Sequence, residues 1–309
     1  MKKTTGIISL ILVFALVVGV IAAFGVSASA VAQDISVTID TGAEITLRDT
    51  DGNDYYEIST ADELFAFAAA VNGGNYTIGG ELMGNIDVNP GYLFNNDGSV
   101  TYNGAPVTEG WRAWVPIGSF SASSFKGKFN GNYYTVSGLY THNITDTDQT
   151  TPATSFFGYV YDGVIIENLG VDNSYFRCDV TEGKSGHSCN AAGLVYHATA
   201  KVEAAVIRNC WSMATVYAYS NASGIMSSIT RYTSVPVGAK IENCFFGGWI
   251  SGRNNNYGLG NTSGAVSSGS YQISNTYYNK TKMSGNKQQD GGAIPATTEQ
   301  FENGYVAYN

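Results

Sequence analysis

A short phrase of the form Ile-x-Asn recurs four times in the second half of this 309-residue chain. Its asparagines occupy positions 168, 209, 243 and 275, so 32 to 41 residues separate successive copies. Repeats of this length are typical of solenoids, because one coil cannot bury its apolar side alone and stacks on its neighbours. The spacing therefore predicts a solenoid with strands at Ile166-Glu167-Asn168, Ile207-Arg208-Asn209, Ile241-Glu242-Asn243 and Ile273-Ser274-Asn275.

A second phrase, glycine followed by apolar residues, precedes each asparagine phrase and predicts a further strand in every coil. Its copies begin at Gly158, Gly193, Gly224 and Gly264. Stacking would align the variable position of the first phrase into an outward row of alternating charge, which stabilises neighbouring strands. This row consists of Glu167, Arg208, Glu242 and Ser274. Stacking would also place Asn168, Asn209, Asn243 and Asn275 in a ladder of side-chain amides, a structural role.

The composition is typical of a β-rich extracellular protein. Charged residues are 13% of the chain, against roughly 25% in average soluble proteins, while apolar residues are 44% and glycines number 37. The net charge of −9 excludes the basic footprint of a nucleic-acid-binding protein. It also disfavours anionic membrane surfaces as partners.

Residues 1–32 are predicted to be a secretory signal peptide. Lys2 and Lys3 precede an apolar run from position 7 to 24, and the small residues Ala28, Ala30 and Ala32 follow it. This is the order of a cleaved signal, although an uncleaved membrane anchor is the alternative because the run is barely long enough to span. The mature protein is expected to be extracellular or on a bacterial cell surface, without a membrane segment of its own.

Four cysteines in a secreted chain allow two disulfides in three pairings. Cys178 and Cys189 flank a loop at 182–186 and are placed to close it. Cys210 and Cys244 follow the repeat asparagine, so stacking would bring their Cα atoms to about 4.8 Å. That distance suits a bridge and equally suits two free thiols that fill interior space. The spacings fit no zinc-ligand pattern and no nucleophilic cysteine.

The segment before the repeats is predicted to contain a hairpin and a helix. Residues 33–58 form the hairpin, with strands at 35–39 and 55–58 around Asp51-Gly52. The run 49–54 also resembles part of a calcium loop, but its glycine comes too early for the EF-hand order, which favours a turn. Thr60 and Glu63 form a capping box that begins a helix over 59–72. This helix is expected to cover the open end of the solenoid.

The solenoid itself is predicted to extend over 59–296, including that helix. A hairpin excursion occupies 95–110 and turns at Asn103-Gly104. A second capping helix is predicted over 297–309. The fold class is therefore all-β, with short helices covering both ends.

Three consecutive motifs carry a resemblance to a known family. They are Trp114-Val-Pro116-Ile117-Gly118, Phe125-Lys-Gly127-Lys-Phe129-Asn130-Gly131-Asn132 and Thr135-Val-Ser137-Gly138-Leu139-Tyr140. This series resembles the W-x-P-I-G, F-x-G-x-F-D-G-x-G and T-I-S-G-L block of bacterial cell-surface proteins with GLUG repeats, and the resemblance extends over about 58–309. It implies a right-handed parallel β-helix with an adhesin-like role. Asn130 replaces the aspartate that is more frequent in the family.

Catalysis by such a scaffold would require acids grouped on one face, as in polysaccharide lyases and hydrolases. Asp87 and Asp162 are the acids nearest to predicted strands, but they are isolated, and Asp162-Gly163 is typical of a turn. His142, His187 and His197 are expected in exposed loops. Neither a nucleophile elbow nor a phosphate-binding loop occurs. We therefore expect no enzyme activity, no cofactor and no metal.

Aromatic residues near the repeats are the better candidates for binding. Trp211, Phe245 and Tyr277 each follow the repeat asparagine by two positions and are expected to stack inside the coil. Other rings nearby are predicted to be exposed and to bind sugar rings or a protein partner. They are Tyr217, Tyr219, Trp249, Tyr257 and Tyr278.

Three hypotheses on function follow. The leading one is a binding or adhesion protein without catalysis, whose ligand is a glycan or an extracellular or host surface protein. The second is a structural spacer or fragment of a larger adhesin. The third is a carbohydrate-active enzyme on the same scaffold. The ligand, the number of coils and the oligomeric state stay open at this level.

Overall fold

The computed structural model describes residues 32–145, 153–181, 189–260, 271–285, 288–289, 292–303 and 306. Residues 1–31 of the predicted signal peptide, the 182–186 loop, His187, the Gly264 phrase and most of 304–309 therefore lie outside the described residues. The described part is mostly β-structure, as expected for an all-β chain.

Five parallel sheets form the body, and we number them in the order in which the chain visits them from β13 to β17. Sheet 1 contains, in spatial order, β27 (Tyr271–Ser274), β23 (Ala239–Glu242), β18 (Ala205–Arg208), β13 (Ile165–Glu167), β9 (Lys128–Asn130), β4 (Gly79–Leu82) and β3 (Tyr55–Ile58). Sheet 2 contains β31 (Ile294–Ala296), β28 (Tyr277–Asn279), β24 (Phe245–Phe246), β19 (Trp211–Ser212), β14 (Gly170–Asp172), β10 (Thr135–Ser137) and β5 (Ile86–Asp87).

The other three sheets are shorter. Sheet 3 contains β11 (Tyr140–Thr145), β15 (Tyr175–Val180), β20 (Thr215–Ala218), β25 (Trp249–Gly252) and β29 (Met283–Gly285). Sheet 4 contains β16 (Ala191–Ala192), β21 (Asn221–Ser223), β26 (Asn255–Tyr257) and β30 (Gln288–Gln289). Sheet 5 contains β12 (Phe157–Tyr161), β17 (Val195–Ala200) and β22 (Met226–Arg231).

Successive passes of the chain visit these sheets in a constant order. The pass from β13 to β17 contributes one strand to each of the five sheets, and the next begins again in sheet 1 with β18. Residues at equivalent positions therefore pair with each other: Ile166 pairs with Ile207, and Ile207 with Ile241. All three side chains are buried. The Ile-x-Asn spacing thus corresponds to one pass, as the sequence predicts.

The first helix, α1 (Ala61–Asn72), covers one end of this interior. Thr60 and Glu63 form the predicted capping box. The ring of Phe67 contacts Phe125 and Phe129 at centroid distances of 6.0 and 5.7 Å. Gly80 is required beneath it, because a Cβ there would lie 2.7 Å from the Phe67 ring. The apolar side of α1 is therefore a cap over the interior.

The N-terminal hairpin differs from its prediction. Strand β1 (Ile35–Thr38) pairs in antiparallel orientation with β2 (Glu44–Leu47), so the turn lies at 39–43. Strand β3 pairs in parallel with β4 and belongs to sheet 1. The Asp51-Gly52 signal marks a real turn, but Asp49 organises it, since its carboxylate accepts backbone N–H groups from Gly52, Asn53 and Asp54.

Arg112 attaches this hairpin to α1. Its guanidinium donates to Asp40 at 2.9 Å and to Asp62 at 2.7 Å, and it lies 3.4 Å above the ring of Phe65. The hydrogen bonds lower the pKa of Asp40, and Arg112 is the largest cause. One side chain thereby ties together three separate segments.

The predicted excursion is a three-stranded antiparallel meander. It consists of β6 (Tyr92–Phe94), β7 (Val100–Tyr102) and β8 (Ala105–Val107), with the expected turn at Asn103-Gly104. The C-terminal helix α2 (Thr298–Glu302) has its own capping box from Thr297 and Gln300. Among the described residues it is shorter than the predicted 297–309.

Candidate functional site

The outward face of sheet 3 combines aromatic and charged side chains in two parallel rows. Side chains alternate between the two faces of a strand, so every second residue of the five strands points outward. The first row is Tyr140, Tyr175, Thr215 and Trp249, in register. The second row is His142, Arg177, Tyr217, Ser251 and Ser284. We call this surface, together with Asp179 and Tyr219, which continue the alternation one step beyond the second row, the sheet 3 face.

Asp179 forms the charged centre of the sheet 3 face. Its Oδ2 atom accepts hydrogen bonds from Arg177 Nε at 2.6 Å and pairs with His142 Nε2 at 2.8 Å. Burial opposes ionisation of Asp179, but these two hydrogen bonds outweigh it and lower the pKa of the carboxyl group. Its Oδ1 atom has no hydrogen-bond partner among the described residues. The carboxylate therefore favours its ionised form, and both of its hydrogen bonds within the described residues are made by Oδ2.

Arginine side chains fix two half-buried rings on this face. The Arg177 guanidinium lies 4.6 Å from the centroid of the Tyr217 ring, and Arg253 lies 4.7 Å from that of Tyr219. Such cation–π contacts hold a ring in a defined orientation. Trp249 has no ring partner of this kind among the described residues and is 38% exposed.

The antiparallel meander packs against one edge of the sheet 3 face. Asn173 anchors it by donating to the Tyr92 carbonyl at 2.8 Å and accepting from the Phe94 N–H at 3.0 Å. The Phe94 ring lies 5.2 Å from Tyr140, whose ring stacks on Tyr175 at 5.7 Å. These contacts cover the first two rings of the row and leave Tyr217 and Trp249 open.

The predicted binding residues divide into two groups. Tyr217, Tyr219 and Trp249 lie on the sheet 3 face, the first two half-buried. The expected exposure is wrong for Tyr257 and Tyr278, which are only 1% and 4% exposed. Tyr278 points inward because it continues the interior row of Phe246. Neither can contribute to an external surface.

The row of Trp211, Phe245 and Tyr277 lies on the outward side of sheet 2, so the expected position inside the coil is wrong. Trp211 and Phe245 stack at 5.8 Å with an interplanar angle of 3°. The interior positions belong to the following residues in each strand, such as Phe246. Phe301 of α2 lies 5.8 Å from Phe245 and covers part of this row.

The asparagine ladder is present along the turn after sheet 1. Each side-chain amide donates to the oxygen of the preceding one at 2.9–3.2 Å, from Asn275 through Asn243 and Asn209 to Asn168. Asn168 in turn donates to Asn130, at 3.0 Å. All four repeat asparagines have φ between 44° and 55°, a left-handed conformation that asparagine tolerates better than most residues.

The ladder ends on a carboxylate that the sequence did not identify. Asn130 donates to Asn132 at 2.7 Å, and Asn132 donates to Glu81 at 3.2 Å. Glu81 is buried and also accepts from Asn53. All the amide donors therefore point towards one negative charge, an arrangement in which successive hydrogen bonds polarise each other.

A second amide ladder was also missed. Asn255 donates to Asn221 at 2.7 Å, and Asn221 donates to Asn190 at 3.0 Å. These residues are 31 and 34 positions apart in the chain, so the repeat spacing would have located them. They stack at the start of sheet 4.

The four cysteines form one disulfide and one pair of free thiols. Cys178 and Cys189 form a disulfide with a Cα–Cα distance of 5.6 Å. Cys210 and Cys244 are free and buried, so the free-thiol alternative holds for them. Each thiol donates to the backbone carbonyl two residues earlier, at 3.2 Å. Burial raises the pKa of the Cys210 thiol, which keeps it protonated.

Two of the histidines lie in strands and not in the predicted loops, whereas Asp162 lies in a turn as predicted. His142 and His197 lie in strands β11 and β17, so the expected loops are wrong for both, whereas the expected exposure holds for His142 and not for His197. His197 donates to or accepts from Ser228 at 2.7 Å, and burial lowers its pKa to about 4. Asp162 sits in a turn as expected and accepts three backbone N–H groups from residues 201–203.

Two further properties concern only the described residues. No group of three or more His, Cys, Asp or Glu side chains in them could hold a metal ion. None of their helices has the length and hydropathy needed to cross a membrane.

The sequence matches no protein-family model, and no curated protein is significantly similar to it. A crystal structure described as a "putative immunoglobulin A1 protease" from Bacteroides ovatus is similar to this structure, with a TM-score of 0.42 and 15% sequence identity. The similarity covers 82% of this chain and 88% of that one.

Proposed function

We propose that this chain is an exported bacterial surface protein of the GLUG-repeat type, with a right-handed parallel β-helix whose sheet 3 face binds glycans. No catalysis is part of this function. The ordered passes through five parallel sheets support the β-helix, and the resemblance of residues 114–140 supports the family. The observation that carries the binding function is that Tyr217, Tyr219 and Trp249 lie on the same open face as Arg177 and Asp179.

The chemistry of this grouping suits sugars. Aromatic rings offer flat apolar faces for the C–H side of a pyranose, and an ionised carboxylate accepts hydroxyl hydrogen bonds. Asp179 has a free Oδ1 atom beside the Arg177–Tyr217 pair. Arg177 holds the Tyr217 ring and the Asp179 carboxylate in place before a ligand arrives. Little side-chain entropy of these two residues is therefore lost on binding.

A glycan panel tests this proposal. The purified protein is compared with the double variant Tyr217→Ala/Trp249→Ala and with Tyr134→Ala/Tyr232→Ala, which removes two exposed rings elsewhere on the molecule. We expect saturable binding to at least one glycan, at least about tenfold weaker in the first variant and unchanged in the second. Equal binding by both variants, with unchanged circular dichroism, would remove the sheet 3 face from consideration.

A second function is favoured by the pair formed by His142 and Asp179. Their 2.8 Å contact beside Arg177 is a geometry used in proton transfer and charge stabilisation, so a polysaccharide lyase or hydrolase is the alternative. Incubation with plant and mucin polysaccharides, followed by measurement of new reducing ends, separates the two. Cleavage that disappears in His142→Gln would establish the enzyme; retention without cleavage supports the binding protein.

A further inference from the structure

A depression of about 260 Å³ lies on the outward face of sheet 1, away from the sheet 3 face. Tyr55, Thr77 and Gly79 line it together with Lys126 and Lys128. Its volume is below the roughly 300–1,000 Å³ of sites for drug-sized ligands. It therefore suits one small unit, such as a single sugar ring.

The register of sheet 1 defines the order of its walls. Tyr55 pairs with Gly79 across β3 and β4, and Gly79 lies beside Lys128 because Gly80 pairs with Phe129. The Cα atoms of Tyr55 and Lys128 are thus two strand spacings apart, about 9–10 Å. An aromatic side chain and a cationic side chain therefore stand on opposite sides of Gly79, a pairing that suits a pyranose ring carrying one anionic substituent.

Gly79 leaves space beside the Tyr55 ring. A Cβ atom at this position would lie 2.7 Å from the Asp54 carbonyl oxygen and 3.2 Å from the Tyr55 ring. Any side chain would therefore push the ring away and fill the depression. Glycine lets the Tyr55 ring lie against the sheet and leaves the space beside it empty.

The two lysines make the opposite wall positive. The Lys126 ammonium group lies 5.5 Å and 5.2 Å from the ring centroids of Tyr76 and Tyr161, which hold it in place. Neither Lys126 nor Lys128 has an ion-pair partner among the described residues. The chain as a whole is acidic, with a net charge of −9. Two adjacent lysines without an ion pair therefore differ from the rest of its charge pattern.

Other polar groups around the depression suit hydroxyl groups. Thr77 and Asp54 line it and have no side-chain hydrogen bond within the described residues. The carboxylate of Glu203 lies at the far rim, next to Gly163. These acids and the aromatic wall favour a ligand with hydroxyls and an apolar ring face over a bare inorganic anion.

We infer that this depression binds one acidic sugar residue, a uronic or sialic acid, with its ring facing Tyr55 and its carboxylate between Lys126 and Lys128. This site is independent of the proposed sheet 3 face. A direct comparison of two sugars that differ only in the carboxylate tests this assignment.

Glucuronic acid and glucose are titrated into the full-length protein and followed by NMR chemical shifts. The variant Lys126→Gln/Lys128→Gln removes both cations from the depression. The control Lys201→Gln/Lys240→Gln removes two exposed lysines elsewhere, and Lys240 lies in the same outward row of sheet 1. All variants carry exposed-residue changes and are checked for unchanged thermal unfolding.

We expect glucuronic acid to bind at least about tenfold more tightly than glucose, and this preference to disappear in Lys126→Gln/Lys128→Gln but not in the control. Tyr55→Leu should weaken both sugars. Equal binding of glucuronic acid by the two lysine variants, or no binding to the wild type, overturns the inference. Loss of binding in Tyr217→Ala/Trp249→Ala alone would assign the acidic sugar to the sheet 3 face and overturn it as well.

Discussion

The row of asparagines beside sheet 1 and the rows on the sheet 3 face are built on the same stacked passes but differ in every other respect. In the first, the same residue recurs and each member bonds to the next. In the second, aligned positions hold different residues, such as Arg177, Tyr217 and Ser251. Identical residues at a repeated position serve the scaffold, since an amide is its own best partner. Dissimilar residues at a repeated position are where a ligand-specific role is to be sought.

The largest effect is expected from the disulfide, because it joins the strand of Arg177 and Asp179 to the residues just before sheet 4. Closing a loop across a sequence separation of 11 stabilises a protein by about 3 kcal/mol. We expect reduction of the wild type to lower the free energy of unfolding by that amount in a urea titration. Cys178→Ala/Cys189→Ala should start at the lower value and not respond to the reductant. A reductant effect of the same size in this variant would contradict the assignment.

The next largest effect is expected in the ladder. Asn209→Ala removes one hydrogen bond to Asn168 and one from Asn243, and it places alanine at φ 53°. The lost hydrogen bonds and the strained alanine backbone should contribute about equally. Together they should lower the free energy of unfolding by about 2 kcal/mol.

Asn209→Gly separates the two contributions, because glycine adopts this φ without strain and lacks only the amide. It should cost about half as much as Asn209→Ala in the same urea titration. Tyr217→Ala on the sheet 3 face is the matched control, with an expected cost below about 1 kcal/mol. If Asn209→Ala costs no more than Tyr217→Ala, the structural role of the repeated row is refuted.

Features with a local signal in the sequence could be predicted. The ladder follows from the Ile-x-Asn spacing, helix α1 from the Thr60–Glu63 capping box, and the meander turn from Asn103-Gly104. In the helix and the turn neighbouring residues determine the backbone conformation, whereas in the ladder the repeat spacing determines which asparagines stack. Asn130 joins the ladder without the repeat phrase: it pairs with Glu167 in sheet 1, and its side-chain oxygen accepts from the next residue, Asn168.

Features that depend on which face a residue takes could not be predicted. Tyr277 and Tyr278 are adjacent rings in a three-residue strand, so alternation does not tell which one points inward. The candidate site had no signal either: His142, Arg177 and Asp179 belong to two passes and share no motif. Parallel pairing of β3 with β4 across a whole helix likewise overrode the local hairpin signal.

A smaller, pH-dependent effect should distinguish the sheet 3 face from the ladder. In the folded protein hydrogen bonds from His142 and Arg177 outweigh burial and lower the pKa of Asp179. The folded state therefore binds this proton less readily than the unfolded state, whose Asp pKa is about 3.9. The resulting stability is complete above that value and is lost as the pH falls through the folded pKa.

Asp179→Asn should therefore be less stable than the wild type at pH 6 by about 1 kcal/mol, and this difference should shrink towards pH 3. Urea titrations at several pH values measure it. The ladder variant Asn209→Gly, which removes no titrating group, should show a constant difference from the wild type over the same range. A constant difference for Asp179→Asn would show that the ion pairs do not stabilise the face.

The smallest effect is expected at an interior repeat position that holds different residues in successive passes. Such a position should have no ligand-specific role, so the comparison above applies only to outward positions. Cys244 and Thr276 are equivalent in successive passes, and both donate to the carbonyl two residues earlier, at 3.2 and 2.9 Å. Since Thr276 shows that a hydroxyl serves this position, Cys244→Thr should change the free energy of unfolding by less than about 1 kcal/mol. It should also reduce the buried thiols that react only after denaturation from two to one. A large loss of stability, or of glycan binding, would mean that this interior position is specialised after all.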